Sequence, residues 1–168
     1  MRRWASALLV AVAVLGAAVF VGLAAMGATY YWQRVQTQAD ESARAELPAL
    51  ARQQIPMVLG FDYQTIERSR LEVYDFMTPS FRQKYEQSVS SAIVPQAKQS
   101  HVVSDVSIVG AGPLTGGLDS GSVLVFMNRV ITYNDEKKKQ DPVYEGSRLR
   151  VDYRKIGGRW LMNDIEVI

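Results

Sequence analysis

The sequence predicts an α+β protein: one N-terminal transmembrane helix, then a cone of about three helices packed on a curved, mainly antiparallel sheet of four strands. Helical apolar spacing dominates from about residue 40 to 93, and β-branched, alternating segments dominate after residue 100. The two kinds of segment do not alternate, so the sequence does not favour a parallel sheet with crossover helices. We therefore expect helices on one face of an antiparallel meander.

An uncharged apolar run at residues 5–32 predicts a membrane span, because a bilayer core of about 30 Å requires about 20 apolar residues in a helix. Arg2 and Arg3 precede the run, whereas Arg34 alone follows it closely and acidic Asp40 and Glu41 come next. This charge bias places residues 1–4 in the cytoplasm and the rest beyond the cytoplasmic membrane, on its periplasmic or outer side. A cleavable signal peptide is the alternative, and it also exports the chain.

The remainder divides into a connector and one domain. Residues 33–45 carry charges of both signs and almost no apolar face, which is typical of a solvated helical connector. Residues 46–168 are enough for one hydrophobic core and too few for two domains. We expect this exported α+β domain to carry the function.

Three helices are predicted in the first half of the exported part. The first runs from about Asp40 to Leu59 and bends near Pro48, since proline removes a helical hydrogen bond. The second runs from about Thr65 to Met77. The third has Thr78 as its N-cap and covers Pro79 to Ile93, with proline at the first helical position.

Four strands follow, and each is bounded by turn residues. A two-glycine turn at 157–158 predicts a tight hairpin between the last two strands. Glycines and a proline between 110 and 117 predict the turn after the first strand, and a charged segment at 135–142 predicts an exposed hairpin tip. The strands are expected at about 100–112, 121–133, 143–156 and 159–167.

Composition excludes several classes of site. The formal net charge is +2 with both signs interspersed, so no nucleic-acid footprint is visible. The chain has no cysteine, which excludes disulfides and thiolate chemistry, and His101 is its single histidine, which excludes a multi-histidine metal site. We therefore expect no metal, no cofactor and no nucleic-acid partner.

A proton-shuttling pocket in a cone of this type would need a carboxylate whose pKa is raised by burial, opposed by a donor such as tyrosine. Asp152 alternates with apolar residues and should face water, and Asp62 has the place of an Asx turn. Asp105 is the carboxylate on a strand that could turn inward. His101 has no acidic partner nearby in the sequence and is expected at a helix–strand junction. The prediction is a protein that is not an enzyme.

Four large side chains in the strands could line the interior of a curved sheet. Ordinary core packing is one interpretation, and an apolar groove for an acyl chain or a partner's helix is the other. The four residues are Phe126, Met127, Tyr153 and Trp160.

Several segments together resemble the Mce-associated membrane proteins, which accompany the mammalian-cell-entry (Mce) lipid importers of mycobacteria and related actinobacteria. The resemblance depends on the order and spacing of segments over residues 40–168, together with the N-terminal span. The segments are VPQAKQS at 94–100, VGAG at 109–112, VLVFMN at 123–128, GSRLRV at 146–151 and GRWL at 158–161.

This resemblance implies an exported cone like that of nuclear transport factor two, with no catalytic residues. It also implies an accessory role that stabilises or assembles the importer, with Mce importer subunits or paralogous accessory proteins as partners. Two alternatives stay open: a lipid-binding or lipid-modifying cone, and an assembly factor of a secretion-type envelope machine.

Overall fold

The computed structural model describes residues 2–134 and 141–168. It divides into one unit up to Gln38 and a second unit, Ala39–Ile168. A 3₁₀ turn at Val73–Phe76 follows the second helix, and a π turn at Val89–Ile93 joins the third helix to the fourth. The helices are α1 (Arg2–Leu59), α2 (Ile66–Glu72), α3 (Pro79–Ser88) and α4 (Val94–Ser100), and the strands are β1 (Phe61–Asp62), β2 (Val102–Thr115), β3 (Ser120–Tyr133), β4 (Val143–Ile156) and β5 (Arg159–Val167).

The first unit contains the N-terminal part of α1. The predicted span at 5–32 falls here, but the side chains of 5–15, 17–19, 25 and 28 lie outside the described residues. Within the described set, no helix is both long enough and apolar enough to cross a membrane. The membrane span stays a prediction.

The C-terminal part of α1 forms the centre of the second unit. Its residues Ala43, Leu47, Ala51 and Ile55 recur every four positions, which puts them on one helix face, and all are at most 1% exposed. The helix runs through Pro48 to Leu59 without ending. Pro48 cannot donate a helical hydrogen bond, but the helix continues through it because the neighbouring residues Leu47 and Ala51 are buried in the core.

The sheet has the order β1-β2-β3-β4-β5, and every neighbouring pair is antiparallel. The predicted α+β class with a curled antiparallel sheet is therefore confirmed. The strand number differs, because β1 adds a fifth strand through the pairs Phe61 with Ser104 and Asp62 with Val103. A strand of two residues has no measurable alternation, so the sequence pattern could not predict it.

Strand β2 is longer than expected and passes through the predicted turn. It continues to Thr115 with register shifts between Ile108 and Gly110 and between Pro113 and Thr115. Such bulges accommodate an extra residue and bend the strand. Pro113 is tolerated because β2 is an edge strand over this length: beyond Ser104, no strand in the described ranges pairs with its outer side.

The core lies between the buried face of α1 and the concave face of the sheet. Val123, Val125 and Val151 are fully buried there. One side-chain hydrogen bond attaches the helix to β5, and one attaches it to β4. Trp160 donates from Nε1 to Glu46 Oε2 at 3.2 Å, and the Tyr153 hydroxyl donates to Gln54 Oε1 at 3.2 Å.

The predicted N-cap of α3 is confirmed. The Phe81 backbone N–H donates to Thr78 Oγ1 at 3.3 Å, and Pro79 occupies the first turn. Thr78 also fixes the helix to the sheet, because its backbone N–H donates to the Met162 carbonyl at 2.9 Å. The helical path continues past Ile93, where the third helix was expected to end, as α4.

The hairpin predictions have two outcomes. Gly157 and Gly158 have φ angles of 59° and 80°, which confirms the tight turn between β4 and β5. In the predicted charged tip at 135–142, residues 135–140 lie outside the described part of the chain.

Candidate functional site

The four large residues predicted to line a groove do not share one surface. Met127, Tyr153 and Trp160 are at most 7% exposed and belong to the core under α1. Burial raises the pKa of the Tyr153 hydroxyl above its ordinary value. Phe126 lies on the opposite face of the sheet and is 42% exposed. The structure therefore separates Phe126 from the other three.

Phe126 belongs to an exposed apolar surface on that opposite face. It pairs across the sheet with Gly110 on one side and Arg148 on the other. Val109 and Ile168 are 68% and 52% exposed, and the three apolar residues border one shallow depression with Arg148. We call Val109, Phe126, Arg148 and Ile168 the outer patch.

A pocket of about 370 Å³ lies elsewhere, between the end of α1, helices α2 to α4 and the strands β2 and β3. Its lining is mainly apolar, from Met57, Ile66, Val89, Ile93 and Ile131. Along β3, the positions that are buried in the core at 123, 125 and 127 continue with the same period to 129, 131 and 133, which line the pocket.

Two arginines interrupt this apolar lining. Arg70 comes from α2, and Arg129 comes from β3. The Nε atoms of both are buried and have no hydrogen-bond partner among the described residues. Arg70 also donates from one terminal nitrogen to Ser90 Oγ at 2.8 Å. We call this cavity, with Arg70, Arg129 and its apolar lining, the arginine pocket.

Tyr85 forms part of the same wall. Its hydroxyl donates to the Val58 carbonyl at 2.9 Å. Burial raises the pKa of Tyr85 to about 12, the nearby Tyr74 adds to that rise, and the charge of Arg70 opposes it. Tyr85 is therefore neutral near pH 7, so it does not neutralise the arginines.

Arg70 and Arg129 are not among the site residues that the sequence predicts. A signal for Arg129 is present, because it stands two residues after Met127 on an alternating strand and so shares the inward face. No sequence pattern identifies Arg70 as inward-facing, because α2 has only seven residues and contains both Arg68 and Arg70.

The carboxylates that were weighed as catalytic candidates lie apart. Asp105 is exposed, so the expectation that it could turn inward is wrong. Asp62 accepts the Gln64 backbone N–H at 2.8 Å, as in an Asx turn, and Asp152 pairs with Arg150 at 3.1 Å.

His101 occupies the junction between α4 and β2. It has a left-handed backbone with φ of 49°, and its ring stands perpendicular to the Tyr63 ring at a centroid distance of 5.0 Å. Over the described ranges, no three histidine, aspartate or glutamate side chains are grouped to hold a metal ion.

Solved structures share this fold at low sequence identity. An IcmL-like type IV secretion system protein from Legionella pneumophila matches with a TM-score of 0.62 and 11% identity, over 74% of this chain and 91% of its own. VirB8 of Agrobacterium tumefaciens matches with a TM-score of 0.55 and 17% identity, over 68% and 84%. At these identities, the similarity supports the fold alone.

Sequence relatives come from Mycobacterium tuberculosis. The protein named outer membrane protein Rv1973, from strain H37Rv, is 26% identical over 137 residues, which is 82% of this chain and 83% of the relative. The protein named uncharacterized protein Rv1362c is 25% identical over 129 residues, 77% of this chain and 57% of the relative. Neither name mentions Mce importers, so that resemblance stays a prediction.

A family model described as uncharacterized protein Rv1363c/MT1408-like matches residues 5–168. This match includes every strand and all but the first residues of α1. The chain belongs to the Rv1363c/MT1408-like family.

Proposed function

We propose that this chain is a non-enzymatic accessory subunit of the cell envelope, which holds neighbouring envelope proteins together through its C-terminal unit. The outer patch is the observation that carries this proposal. Val109 and Phe126 on the sheet, and Ile168 directly after β5, expose apolar side chains around one depression. Exposed apolar clusters of this kind mark interaction surfaces on soluble domains.

The geometry of the patch suits a protein partner. Gly110 stands opposite Phe126 and has no side chain, which leaves the aromatic ring uncovered on that side. Aromatic and arginine side chains provide a large share of binding energy at protein interfaces. Phe126 with Arg148 beside it therefore supplies the two side-chain types that interfaces favour.

The partner we propose is a subunit of an Mce-type lipid importer, supported by the segment resemblance at 94–161. The alternative is an assembly factor of a secretion-type envelope machine, supported by the fold shared with type IV secretion proteins. We place the chain in the cytoplasmic membrane through the predicted span at 5–32. One relative is named an outer membrane protein, so fractionation of inner and outer envelope layers decides between these sites.

The proposal is tested with a photoreactive amino acid at position 126 of the full-length tagged chain, expressed in a mycobacterial host. A matched control carries the same amino acid at Leu71, which is 58% exposed on α2 and lies outside the patch. We expect position 126, and not position 71, to crosslink to a defined envelope protein that mass spectrometry identifies.

Crosslinks from position 126 to Mce subunits would support the importer role. Crosslinks from position 126 to secretion components would support the alternative. Equal crosslinking at both positions would contradict the patch as an interface. Detergent purification of the full chain without any envelope protein would contradict the accessory role. As a second variant, Phe126→Ser should abolish co-purification of that envelope protein with the full chain in detergent, while the free energy of unfolding changes by about 0.5 kcal/mol or less because the side chain is exposed.

A further inference from the structure

We propose that the arginine pocket binds a single-chain anionic amphiphile, with the acyl chain in the apolar lining and the carboxylate or phosphate head group at Arg70 and Arg129. This site is distinct from the outer patch and does not depend on the proposed accessory role. It also lies away from Met127, Tyr153 and Trp160, where the sequence alone suggested a groove.

The volume and lining define the tail. A pocket of about 370 Å³ is at the small end of the range for small-molecule sites. A methylene group has about the size of a water molecule, which takes about 30 Å³ in the liquid, so one chain of about a dozen carbons fits. Met57, Ile66, Val89, Ile93 and Ile131 give such a chain apolar walls, and the pocket also has polar side chains, among them Ser69, Ser88 and Gln96.

The two arginines define the head group. A buried donor without a partner is unfavourable, and such groups are rare in folded proteins. Here the Nε atoms of Arg70 and Arg129 are both buried and without a partner in the described chain, and both side chains line one cavity. Both side chains line the cavity, so an anionic oxygen there would accept from their guanidinium groups, and arginine is suited to carboxylate and phosphate.

No carboxylate of the described residues forms an ion pair with Arg70 or Arg129 within 4.0 Å. Glu67 lies on α2 near Arg70, but it pairs with Lys98 at 2.8 Å, and Lys98, with a smaller contribution from the charge of Arg70, lowers the pKa of Glu67. Glu145 stands directly across from Arg129 in the β3–β4 register, yet it is exposed and no ion pair joins the two within 4.0 Å. Among the described residues, no bound carboxylate occupies the guanidinium groups of Arg70 and Arg129.

The test uses photolabelling of the full chain in a neutral detergent by a diazirine fatty acid, with the labelled peptides mapped by mass spectrometry. We expect labels on pocket residues between 57 and 66 or between 85 and 97. Dodecanoate or dodecyl phosphate should compete, and dodecanol should not, although all three carry the same chain. Stronger competition by dodecyl phosphate would indicate a ligand with a phosphate head group. Stronger competition by dodecanoate would indicate a free fatty acid. Either result supports the site.

Variants separate the charge from the cavity. Arg129→Gln should weaken labelling about tenfold, the factor that corresponds to one charge-assisted hydrogen bond. Arg129→Lys should restore part of it, and Arg148→Gln, which changes an exposed arginine of the outer patch, should change nothing. Ile93→Trp keeps both arginines and fills the pocket, so it should block labelling even if Arg129→Gln fails to fold.

Three results would overturn the proposal. These are labels outside the pocket, competition by dodecanol equal to that by dodecanoate, and labelling of Ile93→Trp at the level of the unmodified chain. Thermal unfolding by circular dichroism, run on each variant, identifies any loss of labelling that comes from a loss of folding.

Discussion

Tyr153 on β4 donates a hydrogen bond of 3.2 Å to the side-chain carbonyl of Gln54 on α1, 99 residues earlier in the chain. Both residues are at most 6% exposed. The bond therefore joins the central helix to the sheet inside the core, where neither group has water as a substitute partner.

Tyr153→Phe should destabilise the second unit by about 1–3 kcal/mol, because the Gln54 carbonyl loses its buried donor. Urea unfolding of the full chain measures this. The double variant Gln54→Leu with Tyr153→Phe should cost less than the sum of the single changes, since it removes both polar partners. Simple additivity would show that the bond does not contribute.

Stability should fall at alkaline pH because of the buried tyrosines. The folded-state pKa of Tyr85 is about 12 against an ordinary 10.0, and burial also raises that of Tyr153. The two buried tyrosines contribute their full stabilisation below pH 10. This contribution is lost as pH rises toward 12, because these tyrosines lose their protons at lower pH in the unfolded chain than in the folded one. Urea midpoints between pH 8 and 11 should decline less steeply in Tyr85→Phe. Tyr144→Phe, which changes an exposed tyrosine, should leave the slope unaltered.

Thr78→Ala should cost about 1 kcal/mol, since it removes the acceptor for the Phe81 backbone N–H. Thr78→Ser keeps that oxygen and should recover most of the loss. Chemical unfolding of the three proteins under identical conditions provides the comparison. A Thr78→Ala protein as stable as the parent would show that the cap does not contribute to stability.

Gly121→Ala should destabilise the second unit by about 1–3 kcal/mol, because a Cβ at this position would overlap Cδ1 of Leu47. Leu47→Ala creates space at the same point. The double variant should therefore be more stable than the two separate losses indicate, and a double-mutant cycle by urea unfolding measures this coupling. Gly146→Ala is the control, since its nearest neighbour would stand at an ordinary 3.7 Å.

The sequence predicts the β4–β5 hairpin with the bounds that the structure shows, Val143–Ile156 and Arg159–Val167. Apolar and charged residues alternate regularly in β4, and the two glycines at 157–158 fix the position of the turn. The prediction ends β2 early, because Gly112 and Pro113 favour a turn locally, whereas pairing with β3 extends the strand to Thr115. Local preference was overridden by tertiary pairing there.

The outer patch and the arginine pocket were predictable to different degrees. Phe126 was selected for its size, but alternation alone could not decide which face its strand buries, since residues 124 and 126 are also apolar. The arginine pocket requires α2, α4 and β3 to meet. A single sequence without contacts does not bring Arg70 and Arg129 to one cavity.

The outer side of β2 beyond Ser104 is a ladder of backbone groups to which a foreign strand could attach. Its two register shifts and Pro113 make that ladder irregular, and the Arg52 guanidinium takes one of its carbonyls, that of Ala111, at 3.2 Å. The glycines and the proline that make the end of β2 look like a turn in the sequence thus also disfavour the stacking of strands from other molecules on this edge. A straightened β2, with valine at 113, would expose a continuous template and favour aggregation.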